Sequence, residues 1–545
     1  MRKVFFIVLL CCGVLMPAMG QSTKDSYYVR SAIEALQSGN SEAALQSLSK
    51  ELKVNPNNGY AHMFVAVACM DLDSYGYSLE YALSALKYLP KSEHYGRSHM
   101  CGLLSDLYLN AKDTTRALQY MEQALKEDPT DEQNYYNLVL LYLERGDMTA
   151  AMRTAQAFMK KKQKSFWAAK AMADVMMAEE RYDEAIRYSD MSVEWTEPKS
   201  KDRSRALLSR ATVKEKANRP SEALADLMAA TRIDFWNQTE SLVRTLNDTI
   251  SDEVLDSLVA AKAAEPEQVY WNILLFDTHR DRLEYIQAVQ VGKELMGKLK
   301  SSSLVHYMAS ILEHHLGDAE SAERLLLNQL SVDSTSAGTY IRLEELYSEM
   351  GRYNEAFAMA EKALSFDPSD GEKAIIYQLR GRVHVLKHDY EEAIADFMAG
   401  MIADPDDYDY WFNIGKLYGL LNDTVKQAEA FEQGRQAHAR HGQELTAGDY
   451  VAMGDSVAAY EAAKTMVTKQ TDAEGHYNKA CIYAQIGYLQ EALDELRLAF
   501  EYGMRNFYHV AWDMDLDSLR GMPEFIALVN EYQQQTEQLK EQINL

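Results

Sequence analysis

The stretches RALQYMEQALKEDP (116–129), NEAFAMAEKALSFDP (354–368) and EEAIADFMAGMIADP (391–405) share one pattern. Each has a small residue (Ala117, Ala356, Ala393) and a packing residue four later (Met121, Ala360, Phe397). A second small residue follows after three more (Ala124, Ala363, Gly400), and a proline after five (Pro129, Pro368, Pro405). Offsets of four and three place these side chains on one helical face. The proline ends the helix, because it lacks an N–H and its ring clashes with the preceding turn. The small residues predict close approach of a neighbouring helix at that face.

The first small residue serves as a marker along the chain. It recurs at Ala44, Ser78, Ala117, Ala151, Ala185, Ala223, Val254, Ala288, Ala322, Ala356, Ala393, Gln427, Ala458 and Ala492. Most steps are 34 residues, and four consecutive positions from Val254 to Ala356 keep that phase. Tyr108, Tyr142, Tyr347, Tyr418 or Tyr483 lies nine residues before a marker. Gly146, Gly351 and Gly487 lie five before, where a turn must break the first of two helices. Aromatic residues at Tyr135, Tyr340, Tyr377 and Trp411 open first helices. The pattern resembles the tetratricopeptide repeat, a 34-residue helix–turn–helix unit. The resemblance spans about residues 27–505 and is weakest around Val254 and Ala458, where the aromatics and glycine are missing. It implies an all-α fold, a superhelical solenoid of about 13–14 helix–turn–helix repeats. A single hairpin cannot cover its own apolar face, and stacked neighbours can. The expected organisation is an N-terminal array over 21–235, an atypical junction over 236–266, a C-terminal array over 267–505 and a cap with helical tail over 506–545.

The ends carry their own signals. Arg2 and Lys3 precede an apolar run from Val4 to Leu15, followed by Pro17, Ala18, Met19 and Gly20. This reads as a secretory signal over residues 1–20, cut after Gly20. The expected location is therefore outside the cytoplasm, in the periplasm or at the outer membrane. Cys11 and Cys12 leave a lipoprotein signal open, although Leu10 stands where such signals want a small residue. No later run approaches a membrane span of about 20 apolar residues. Cys69, Cys101 and Cys481 remain after cleavage, an odd and widely spaced set that reads as buried small side chains and not as a disulfide framework. At the other end, NFYHVAWDMDLDSLRGMPEFIALVNEY (506–532) departs from the repeat. It resembles a segment that closes tetratricopeptide arrays, with Leu516, Leu519, Phe525 and Leu528 covering the last hairpin and Asp513 and Asp515 capping a short helix or turn.

Composition bounds the function. Apolar residues make up 47% of the 545, so a large core is available. The formal charge of -26 excludes a basic nucleic-acid footprint. No phosphate-cradling Gly-Lys-Ser/Thr loop, G-x-S-x-G elbow, H-E-x-x-H or C-x-x-C occurs. The chain therefore reads as a non-enzyme, with no cofactor and no metal assigned. His314 and His315 are adjacent and point apart on a helix. His438 and His441 have the spacing to share a ligand, but they lie in a polar RQAHARHG run that suits a solvated face. Asp–Ser/Thr pairs such as Asp248-Thr249, Asp423-Thr424 and Asp455-Ser456 look like the O-glycosylation acceptor of Bacteroidetes-type bacteria. They equally suit helix caps.

The resemblance places the ligand groove on the first helix of each pair. Asn137, Asn413 and Asn478 fall on that face, where an amide would both donate to and accept from a peptide backbone. Arg342, Arg382 and Lys416 would join Asn413 as a loose carboxylate clamp. Pairing of these cations with neighbouring acids is the competing reading. The expected function is a non-catalytic scaffold that takes a peptide or protein partner in the concave groove. A SusD-like glycan-binding protein of a nutrient-uptake system is the alternative from a different class.

Overall fold

The computed structural model describes residues 26–235, 237–404, 410–466 and 472–543. The predicted signal segment, with Cys11 and Cys12, lies outside them, as does Pro405. Every regular element among the described residues is helical. The chain divides into two compact units at Ile250 and Ser251.

Among the described residues the first unit holds six helical hairpins, from Tyr27–Gln37 with Ser41–Val54 to Lys201–Lys216 with Pro220–Ile233. The helix Asn237–Ala264 is interrupted at Ile250, whose backbone (φ -134°, ψ 44°) leaves the helical region. This is the weak unit around Val254, and one non-helical residue stands there where other repeats have a turn. The described residues of the second unit form seven hairpins, from Val269–Asp281 with Tyr285–Lys298 to Ala473–Gln485 with Leu489–Glu501. No described helix is long and apolar enough to cross a membrane.

The markers explain the packing. Ala44, Ser78, Ala117, Ala151, Ala185, Ala223, Val254, Ala288, Ala322, Ala356, Ala393 and Ala492 are all fully buried. Two positions depart from the rule. Gln427 is half-buried, and the opposing residue is Gly419, where a Cβ would collide with the Gln427 amide. The room a small marker gives elsewhere is supplied here from the other helix. In the shortest pair, Ala447–Ala452 with Ser456–Ala463, Ala458 is only half-buried, and Ala459 and Ala463 are the buried residues. The true contact therefore lies one residue beyond the expected marker.

The turns use left-handed backbone. Gly146, Gly351 and Gly487 have φ of 76°, 72° and 85°. Other hairpins place Asp73, Lys112, Glu180, Asn218, Leu283, His388 or Asn422 in the same region, with φ between 53° and 64°. The turn geometry thus survives without glycine, at a cost of about 1–2 kcal/mol per residue. Helix starts are capped by side chains: Asp113, Asp423 and Asp455 accept from Arg116, Lys426 and Ala458 backbone N–H groups at 3.0, 3.1 and 3.0 Å. Those Asp–Ser/Thr pairs have a structural role as N-caps. Cys69, Cys101 and Cys481 are free and buried.

The end of the second unit does two things. Val510, Leu516, Leu519, Phe525 and Leu528 bury themselves against Tyr477, Cys481, Leu493, Leu496 and Phe500, as a cap must. Asp513 caps the short turn Met514–Leu516 by accepting from Asp515 N at 3.0 Å. The same segment also returns to repeats far back in sequence. Arg505 N donates to His314 O at 2.5 Å, and Gly503 O lies 3.0 Å from His315 Nδ1. Tyr508 donates to Glu320 at 2.9 Å. Gly317 (φ 59°) admits this contact, since a Cβ there would sit 2.9 Å from Arg505 O. Nothing in the 34-residue pattern foreshadows this closure.

Candidate functional site

The predicted groove residues fall into three situations. Asn413, Lys416 and Asn478 are exposed, on helices Tyr410–Leu420 and Ala473–Gln485. Lys416 Nζ reaches Gln485 Oε1 at 3.2 Å, so the exposed faces of these two first helices adjoin. Arg382 is exposed on Asp370–Leu386. Asn137 is half-buried in the first unit and accepts from Gln133 Nε2 at 3.0 Å.

Arg342 differs. Its guanidinium meets Glu345 and lies 3.3 Å from Glu313 Oε2. Both partners are acids of its own unit, so this cation is satisfied internally. Glu313 stands 29 residues earlier, about one repeat back. The competing reading of the clamp therefore describes Arg342. Lys416 in turn contributes positive charge near Asp515, whose carboxyl is pushed up to about 6 by burial and by Asp513 beside it.

Arg342 borders a half-buried polar cluster where the C-terminal segment meets the earlier repeats. The helix Ser302–Ser310 runs on into a π-turn, Ile311–His315, which carries Glu313 and His314. Glu349 closes the helix Ala337–Glu349, and His509 comes from Phe507–Trp512. His314 Nε2 lies 3.8 Å from Glu349 Oε2, and His509 Nδ1 lies 3.8 Å from Glu349 Oε1. Asn506 Nδ2 donates to Glu349 Oε2. Burial, reinforced by the Glu349 carboxylate beside it, pushes Glu313 well above the carboxylate range. Burial also lowers His314, which favours the neutral ring. His315 points elsewhere, stacked on Tyr285 with ring centroids 4.0 Å apart. The two adjacent histidines thus diverge as expected, yet His314 enters a constellation that sequence spacing did not suggest. His438 and His441 also separate: His438 is buried 3.6 Å from Asp449, and His441 is exposed.

Consecutive hairpins with buried small markers define a helical-repeat solenoid. The tetratricopeptide repeat matches at residues 29–93, 108–173, 337–370 and 473–502. The chain is thus an all-α solenoid of tetratricopeptide type, a fold that generally serves as a non-catalytic platform for protein–protein contacts. No curated protein matches it. Among solved structures it is similar to the Naa15/Naa10 assembly bound to HypK-THB. That match has 16% identity and a TM-score of 0.32, covering 94% of this chain and 80% of the other. It is similar to PilF of Pseudomonas aeruginosa, with 19% identity and a TM-score of 0.32, covering 40% of this chain and 96% of the other. It is similar also to PilW, a type IV pilus biogenesis factor, with 16% identity and a TM-score of 0.33, covering 41% of this chain and 100% of the other.

Proposed function

We propose that this chain is an exported scaffold of the bacterial cell envelope that captures a peptide or protein segment on the first-helix face of its second unit. The supporting observation is the exposed set Asn413, Lys416 and Asn478 on two adjoining first helices. Amides there can pair with a peptide backbone in both directions, and Lys416 and Arg382 supply charge for a carboxylate. Arg342 is left out, because Glu313 and Glu345 already engage it. The mechanism is recognition on a preformed surface, with no bond made or broken.

A site-specific crosslinker tests this. A photoreactive residue at Asn413 should give a discrete adduct in native envelopes, and one at exposed Glu429 on the second helix should not. The double change Arg382→Glu with Lys416→Glu should remove the adduct while far-UV CD stays helical. An adduct that persists in the double variant, or forms equally from position 429, overturns the reading.

A further inference from the structure

We infer that Glu313, His314, Glu349 and His509 form a binding site for a divalent transition-metal ion that fastens the C-terminal segment to the earlier repeats. One oxygen each of Glu313 and Glu349 and one ring nitrogen of His314 lie within 4.8 Å of one another. His314 Nδ1 sits 3.1 Å from Ser310 O and 3.2 Å from Ser310 Oγ, and in the tautomer that donates to the carbonyl this nitrogen carries the proton. In the neutral ring, Nε2 is then a bare lone pair, and it faces Glu349 Oε2 at 3.8 Å. A proton or a metal ion between these two atoms would hold them together, and the second carboxyl alongside favours the metal.

A second observation is independent of that geometry. Glu313 is only 2% exposed, and apart from the Glu349 carboxyl its Oε1 has no hydrogen-bond partner. A buried carboxyl is paired, protonated or metal-bound. Glu313 and Glu349 also hydrogen-bond each other, so a divalent ion would take the place of the proton between them. Arg342 is shared between Glu313 and Glu345. Glu349 meets neutral Asn506 and the two imidazoles, and His509 also faces Asp513 at 3.6 Å.

The surroundings suit a metal site. Histidine ligands usually donate their second N–H to a carbonyl or carboxylate, as His314 does to Ser310. Ligating carboxylates keep their other oxygen hydrogen-bonded, a role open to Arg342 on Glu313 Oε2. Two imidazoles and two carboxylates, without a thiolate, match the donor preference of zinc and its borderline neighbours. Metal–ligand bonds of about 2.0–2.1 Å place tetrahedral ligand atoms about 3.4 Å apart. Glu313, His314 and Glu349 therefore need to draw in by about 1.4 Å at most, and His509, now 3.8 Å from Glu349 Oε1, would swing in to complete the set. His509 arrives only with the C-terminal segment, so the ion ties together elements almost 200 residues apart.

Zinc is the probe. The full chain, stripped with chelator, is titrated with Zn²⁺ against a chromophoric competitor, and bound metal is counted after gel filtration. The expectation is one zinc per chain, with affinity falling at least tenfold in Glu313→Gln and in His509→Ala while helical CD is kept. Cys481→Ser should leave binding unchanged. Co²⁺ substitution in the unaltered chain should give visible ligand-field bands without thiolate charge transfer, a readout that holds even if a variant fails to fold. Absence of zinc binding overturns the proposal. So does a thiolate–cobalt band, or binding lost only in Cys481→Ser, since both move the metal to the group formed by Cys481, Asp513 and Asp515.

Discussion

Glu344 lies within the helix Ala337–Glu349 with no exposed surface, and neither carboxyl oxygen has a hydrogen-bond partner. Arg380, the cation that acts on it, is already held by Asp396 through contacts of 2.8 and 2.5 Å. Burial pushes the Glu344 carboxyl up to about 9 from its ordinary 4.5, with Arg380 offsetting part and Asp396 adding to it. Between those two values the folded chain keeps a proton that the unfolded chain releases. Stability therefore falls as pH rises through that window, and the group adds no such penalty below it. Each pH unit is worth about 1.4 kcal/mol, so holding this carboxyl neutral at pH 7 costs about 3 kcal/mol. Glu344→Met removes the titrating group at nearly constant volume. Urea unfolding followed by far-UV CD should show the variant about 3 kcal/mol more stable at pH 7. The gain should grow from pH 5 to pH 8. Glu344→Gln should flatten the pH dependence but gain less, because a buried amide still lacks partners. A Met variant no more stable than the parent at pH 7, or a gain equal at pH 5 and pH 8, refutes the reasoning.

Three further outcomes follow from packing and backbone. Leu283 holds φ 60° in a hairpin turn, so Leu283→Gly should raise the unfolding midpoint by the equivalent of about 0.5–1 kcal/mol, the relieved strain less the added chain entropy. Ala393 is fully buried at a helix contact, and Ala393→Leu should lower thermal stability by about 1–3 kcal/mol through overpacking. In the first unit, Arg210 holds buried Asp226 through contacts of 2.8 and 2.6 Å. Arg210→Met should destabilise by about 2–3 kcal/mol, because Lys214 at 2.9 Å offsets only part of the loss. Adding Asp226→Leu should recover most of it, and a double variant as unstable as the single one would contradict the pair's role.

The repeat was legible because it is written many times. A buried alanine, a tyrosine nine residues earlier and a left-handed turn between them recur along the chain, so no single exception hides the phase. The exceptions are local and have local causes. Gln427 is tolerated because Gly419 faces it, and Ala459 replaces Ala458 within a pair whose first helix has six residues. Contacts about one repeat apart could also be anticipated, and scanning for acids about 30 residues before Arg342 would have found Glu313.

The closure of the second unit was not legible, for the opposite reason. Its hydrogen bonds span 157 and 188 residues and occur once, so periodicity has no second copy against which to reveal them. A ligand set spread over positions 313, 314, 349 and 509 likewise has no characteristic spacing, unlike a metal motif held on one helix. Sequence alone left Arg342 open between an outside carboxylate and the chain's own acids, because helical face does not say which acid is in reach. A cation on a repeat surface is available to a ligand only if no acid of the chain reaches it first, and in this molecule the deciding acid comes from the preceding repeat. The surface cations that remain as candidates, Arg382 and Lys416, are therefore defined as much by the chain's own acids as by the groove they line.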